Sequence, residues 1–158
     1  MQPSDGLIKT MFEITEELFN KHKNSRIIYY SLAFEEGIED YKAFVGLSPN
    51  YISKNKKSTV ALEAHSTYLK KMGLGLFEIK TRIWAFDKKR AHIYQEIFQE
   101  NTLIGTQETL SISFDIELRK TCDFDENIAD RYEELHHGQK QVEKPKFIGL
   151  YLSGNPTN

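Results

Sequence analysis

Between Ser25 and Gly46 the apolar residues recur at Ile27, Ile28, Phe34, Ile38, Tyr41 and Val45, with Leu32 and Phe44 beside them. Spacings of three and four over more than four turns predict one long amphipathic helix. Ser25 suits its N-cap, Gly46 its C-terminal stop, and Pro49 follows closely. Most of the chain beyond it alternates with a period of two. Gly75–Phe86 sets Phe77, Ile79 and Ile83 against Glu78, Lys80 and Arg82. After a turn at Asp87-Lys88-Lys89, Arg90–Gln99 sets Ile93 and Ile97 against Tyr94 and Phe98. Glu100-Asn101 turns again into a long strand, Thr102–Leu118, with Ile104, Leu110, Ile112 and Phe114 on one face. Ser58–Leu69 carries Val60, Leu62, Ala64, Ser66 and Tyr68 on one face and Glu63 and His65 on the other.

Upstream of the helix, residues 1–9 read as a leader, Thr10–Phe19 as a first strand and Asn20–Asn24 as a polar loop. Ser48–Lys57 reads as a loop. Asp123–His137 predicts a C-terminal helix, with Phe124, Ile128 and Leu135 helically spaced and acids at its start. Phe147–Leu152 is a short apolar run suited to an added edge strand or a partner-binding tail. The expected fold is α+β: one long helix wrapped by a curved antiparallel sheet of about five strands, plus a C-terminal helix. The 158 residues fit one domain, with its core over residues 10–118 and the helix and tail over 123–158.

Composition narrows the function. The net charge of −2 and the scattered basic residues argue against a nucleic-acid partner. The lone Cys122 permits no internal disulfide, which fits a reduced, cytoplasmic setting. The N-terminal MQPSDGLIKT lacks a signal-peptide core, and no window is apolar enough to span a membrane. No Gly-rich phosphate loop, Gly-x-Ser-x-Gly elbow, paired Cys motif or metal signature occurs, and His136-His137 with Glu133-Glu134 lies at a helix end.

The run from Ala61 to Ile97 carries Glu63-x-His65-x-x-Tyr68-Leu69 and then Asp87-x-Lys89-Arg90. A strand ending in Asp115 and the helix CDFDENIADRYEEL follow. This succession, over about Phe12 to Leu135, resembles the hot-dog-fold acyl-CoA thioesterases of the 4-hydroxybenzoyl-CoA thioesterase type. Within them it is most similar to the subgroup found with carnitine dehydrogenases, which hydrolyses betainyl-CoA. The resemblance implies an acyl-CoA substrate, no cofactor beyond the coenzyme A of that substrate, and a homodimer or dimer of dimers with the site between protomers. One departure stands out. The family's loop aspartate falls in the stretch NKHKNSR, where Asn20 takes its place, and the accompanying Gly-His pair is absent.

Thioester hydrolysis needs a polarised carbonyl, an activated water or nucleophile, and a seat for the CoA nucleotide. The N–H groups of Ile27, Ile28 and Tyr29 at the helix start could face an oxyanion. Glu36, with Glu35 beside it, could act as general base from the helix. Glu63 and His65 could form a carboxylate–imidazole pair, and His22 could substitute for the missing aspartate. Lys88, Lys89 and Arg90, with Lys70 and Lys71, could pair the CoA phosphates. Tyr29, Tyr30, Phe34, Tyr68 and Trp84 offer aromatic faces to a trimethylammonium group. The ordinary alternatives are a capped helix, solvated acids, a solvated turn and core aromatics. At the level of function the rivals are a non-catalytic protein that binds an acyl thioester or small ligand, and a hydratase or dehydratase on the same fold.

Overall fold

The computed structural model describes residues 5–25, 27–139 and 142–149. In chain order they form β1 (Ile8–Ile14), α1 (Glu16–His22), α2 (Ile28–Val45), α3 (Pro49–Asn55), β2 (Lys57–Tyr68), β3 (Gly75–Phe86), β4 (Arg90–Gln99), β5 (Thr102–Asp115), β6 (Lys120–Thr121) and α4 (Glu126–Gly138). The antiparallel sheet runs β1-β3-β4-β5-β2, and β6 pairs with the end of β5. This is the expected hot-dog architecture, with α2 as the enclosed helix.

The long helix stops at its expected signal, but its N-cap is Ile27 rather than Ser25. Gly46 takes the left-handed conformation (φ 92°), and Leu47 N–H bonds back to the Lys42 carbonyl at 2.8 Å. Its buried face, Tyr30, Ala33, Phe34 and Tyr41, lies on the concave side of the sheet. There Phe77, Ile79 and Ile97 pack round its first half, and Ile83 and Ile93 round its second. α4 extends this layer through Ile128, Tyr132 and Leu135. The Tyr41 and Tyr132 hydroxyls bond each other inside it. Gly37 is where α2 comes closest to the strands: an added Cβ would lie 2.6 Å from Gln95 Nε2 and 2.8 Å from Ile79 Cγ2. Gln95 Nε2 donates to the Phe34 carbonyl at 2.9 Å and to Thr81 Oγ1 at 3.2 Å. Helix and sheet are thus tied at mid-length.

Several expected boundaries change. The strand expected over Thr10–Phe19 starts earlier and ends at Ile14, because Thr15 caps α1 by accepting from Leu18 N–H. Asn20 and His22 therefore belong to a helix. The loop expected at Ser48–Lys57 contains α3, capped by Ser48 Oγ with Pro49 in its first turn. The long strand expected to Leu118 stops at Asp115 and folds back as β6. In β2 the pairing shifts between Ala61 and Glu63, so Leu62 is an extra residue and the alternation changes phase there. Val60 and Leu62 thus do not share a face with Ala64, Ser66 and Tyr68.

Over Gln107–Ile112 the apolar face of β5 turns away from α2. Its alternate residues Gln107, Thr109 and Ser111 border the space beside α2, which puts Leu110 and Ile112 on the outer side. Residues 142–149 form no strand, and their end meets that outer side at Glu108. Ile148 is buried, and Gly149 N–H donates to Glu108 Oε2 at 2.7 Å. Glu108 in turn meets His92 Nε2 at 2.9 Å, with both side chains almost fully enclosed. The remainder of the apolar run, residues 150–152, lies outside the described residues. No helix among the described residues is long and apolar enough to cross a membrane.

Candidate active site

Two cavities open in the gap between α2 and β2. The first, about 310 Å³, lies at the start of the helix and is lined by Ile27, Tyr30, Tyr68 and Leu69 with Lys70 and Lys71. The second, about 290 Å³, lies further along the same gap. α2 gives it Glu35, Ile38 and Lys42, and β2 gives it Thr59, Ala61 and Ala64. Its floor is Gln107, Thr109 and Ser111 of β5. The gap exists because β2 is an edge strand, paired only with β5 along the sheet, while α2 packs over β1, β3 and β4.

The helix start is partly open. Ile27 is exposed and Tyr29 buried, and Ile28 N–H reaches Ser25 Oγ only at a long 3.4 Å. α1 braces it: Phe19 stacks with Tyr29, whose hydroxyl donates to the Phe19 carbonyl at 3.2 Å. Asn20 is exposed and His22 half-buried on that brace, and neither lines either cavity. The Tyr30 hydroxyl bonds the Lys70 carbonyl and its ring packs on Tyr68, fixing the lysine pair at the mouth.

The two adjacent glutamates of α2 separate. Successive helix residues point about 100° apart. Both are exposed, but Glu35 shares the flank of Ile38 and Lys42 and lines the second cavity, whereas Glu36 borders neither. The carboxylate beside the cavity is therefore not the one the sequence favoured. Its signal was present: Glu35, Ile38 and Lys42 follow each other at helical spacing on one flank.

Glu63 and His65 do share a face, but it is the outer one. They lie opposite Leu110 and Glu108 of β5, while the intervening Ala64 faces the cavity. The basic turn is likewise displaced. Asp87 accepts from Lys89 N–H, Arg90 N–H and Arg90 Nε at 2.7–2.9 Å. Those donors hold the Asp87 carboxyl below its usual range against the opposing effect of burial. Lys89 Nζ stands 3.8 Å from Asp123. Arg90 and Lys88 line a separate pocket with Ile112 at the other end of the strands. Lys70 and Lys71 are thus the predicted phosphate partners that lie at the α2–β2 mouth. Of the five proposed aromatics, Tyr30 and Tyr68 line that mouth; Tyr29 and Phe34 are core, and Trp84 is the extra residue at a pairing shift of β3 and lines neither cavity.

A family model described as the thioesterase-like superfamily matches residues 18–132. The chain belongs to that superfamily. Membership makes the chain a thioester hydrolase. Solved structures agree in fold. A Staphylococcus aureus protein in complex with CoA superposes with TM-score 0.82 at 23% identity, over 94% of this chain and 96% of that one. The DHNA-CoA thioesterase of Staphylococcus aureus gives TM-score 0.67 at 22% identity, over 84% and 91%. No curated protein matches the sequence. None of these likenesses singles out the betainyl-CoA subgroup. In this thioesterase-like chain the helix start, the lysine pair and Glu35 thus share one gap, and Glu36, Glu63 and His65 lie outside it.

Proposed function

We propose that the α2–β2 gap is the catalytic groove of a small acyl-CoA thioesterase, and that Glu35 is its general base. The carrying observation is that Glu35 borders a cavity between α2 and the sheet. Water attacks the thioester carbon while Glu35 takes its proton. The oxyanion forms against backbone N–H groups at an α2 start, and the proton passes to the departing CoA thiolate as the C–S bond breaks. Lys70 and Lys71 at the mouth supply charge for the CoA phosphates.

One protomer cannot assemble this alone. Ile28 and Glu35 are seven residues apart on one helix, roughly 10 Å at 1.5 Å per residue. A carbonyl oxygen and its attacking water need partners within about 3 Å. A second copy resolves the distance. β2 presents a twelve-residue edge, with Val60, Leu62 and Tyr68 exposed by 43–53%. Two such edges pairing about a two-fold axis run antiparallel and bring the start of one α2 towards the middle of the other. The proposed active form is a homodimer. Betainyl-CoA finds weaker support, since only Tyr30 and Tyr68 of the proposed aromatics lie at the groove.

The test is thiol release from a panel of acyl-CoAs by wild type, Glu35→Gln and Glu36→Gln. Loss of a positioned base costs on the order of 10²–10⁴ in rate. Glu35→Gln should lose that much and Glu36→Gln should stay near wild type. Undiminished turnover by Glu35→Gln would falsify the assignment.

A further inference from the structure

Residues 142–149 are held to the sheet at one place. Gly149 N–H donates to Glu108 Oε2 at 2.7 Å, and among the described residues this is the segment's one hydrogen bond to a strand. Ile148 beside it is fully buried. The other bonds of the segment are local: Val142 N–H to the Gln139 carbonyl, and Ile148 N–H to the Pro145 carbonyl at a long 3.4 Å. A segment with one apolar anchor and one bond to the sheet opens more easily than the strands beneath it.

The point of attachment is a titratable pair. The Glu108 oxygen that takes Gly149 also meets His92 Nε2 at 2.9 Å, and the His92 and Glu108 side chains are 2% and 1% exposed. A carboxylate only accepts, so the imidazole donates through Nε2–H and needs no charge to do so. Burial disfavours a further proton on that ring more than Glu108 favours one, and Lys144 of the segment itself works against a second cation. Tyr94 of β4 is close enough to feel the Glu108 charge, and His65 of β2 stands opposite Glu108. From β3, Ala85 faces His92 and Arg82 faces Tyr94 across the ladder. Glu108 Oε1 is buried with no hydrogen-bond partner among the described residues, so closure leaves it dry. Opening the segment admits water to that oxygen and to the ring.

We propose that residues 142–149 are a strap latched on Glu108 and released by acid. Glu108 alternates with Gln107 and Thr109, which border the second cavity, so the strap bears on the back of the groove floor. The latch stands whether or not the groove hydrolyses thioesters. Its direction follows from burial. The open strap lets His92 take its proton near the ordinary value of 6.5, while the closed strap holds it lower. The closed state is therefore favoured above that pH and loses ground as pH falls below it.

The test is amide hydrogen exchange of the full chain, read by NMR as protection factors at pH 7 and pH 5. Gly149 should be less protected than the β4–β5 ladder at both, and about tenfold less protected at pH 5 than at pH 7. His92→Gln should show the same Gly149 protection at the two pH values. Glu108→Gln replaces a charged acceptor by a neutral one and should weaken Gly149 protection already at pH 7. Gly149 as protected as the ladder would mean that only global unfolding frees it, and the strap would fall. Protection that ignores pH in wild type, that still follows pH in His92→Gln, or that is undiminished in Glu108→Gln overturns the proposal as well.

Discussion

Gly37→Ala sets two effects of known sign against each other. Alanine is favoured over glycine inside a helix by about 1 kcal/mol. Against this, the new Cβ would sit 2.6 Å from Gln95 Nε2, 2.8 Å from Ile79 Cγ2 and 2.9 Å from Thr81 Oγ1. The end of Gln95 can swing aside, but it then gives up its bonds to the Phe34 carbonyl and Thr81. Ile79 and Thr81 are β-branched and stiff at χ1, and they stand on a strand paired on both sides. Overpacking of this kind costs about 1–3 kcal/mol, and a stranded buried donor about as much again. The penalty outweighs the helix propensity, leaving a net destabilisation of about 3 kcal/mol. For a chain of this size that lowers Tm by roughly 6–12 °C. Gly73→Ala is the internal control, because its Cβ meets nothing within 4 Å, and it should change stability by less than about 0.5 kcal/mol. Thermal and urea unfolding of both variants provide the assay. A Gly37→Ala protein as stable as wild type would show that α2 is not pressed on the sheet at this point, and the close-approach argument would fall. The same variant should lower kcat/KM, since Glu35 lies two residues away on the displaced helix.

Acid should weaken the fold through His92. Burial, partly offset by Glu108, holds the imidazole below its ordinary pKa of 6.5. The unfolded chain then binds the proton first, so stability falls as pH drops below about 6.5, and a His92→Gln variant should lose that slope in pH-dependent urea titrations. Tyr132→Phe leaves the Tyr41 hydroxyl buried without its partner and should cost about 1–3 kcal/mol. The double variant Tyr41→Phe/Tyr132→Phe should cost less than the sum of the singles, and strict additivity in the cycle would show the two hydroxyls to be uncoupled. Asp125→Asn weakens the 2.5 Å contacts to Lys57 and Tyr51 that tie α4 to β2 and α3. Hydrogen bonds from Lys57 and Tyr51 hold the Asp125 carboxyl below its usual range. The wild-type advantage over Asp125→Asn should therefore be present at neutral pH and vanish as pH falls through the carboxylate range; an advantage that persists in acid would contradict this.

The long helix, the β3–β4 hairpin and the closing helix were legible because each carries its own local signal. Gly46 had the freedom for a left-handed stop, and the Asp87 side chain could cap the two N–H groups that follow it. α1 and α3 are seven residues each, too short for periodicity to register, and their caps Thr15 and Ser48 are ordinary residues until a helix follows. The face of β2 was misread because a bulge at Leu62 leaves no mark in composition. Glu35 and Glu36 are neighbours in sequence and about 100° apart in space, so choosing between them needed to know which flank of α2 meets the edge strand. β5 misled most. Its apolar alternation marks one face but not which side that face takes, and the polar residues border the groove while Glu108, on the other side, meets Gly149 across 41 residues of chain.

That segment also sets an order of events. Residues 142–149 are made after every strand of the sheet. Until then the His92–Glu108 pair, nearly sealed in the finished fold, faces water with one of its hydrogen bonds still missing. The sheet can form and pair early in synthesis, but its outer side beside Glu108 is closed only when residues 148–149 arrive. A chain cut short before Gly149 would keep every strand and still leave the His92–Glu108 pair without that cover.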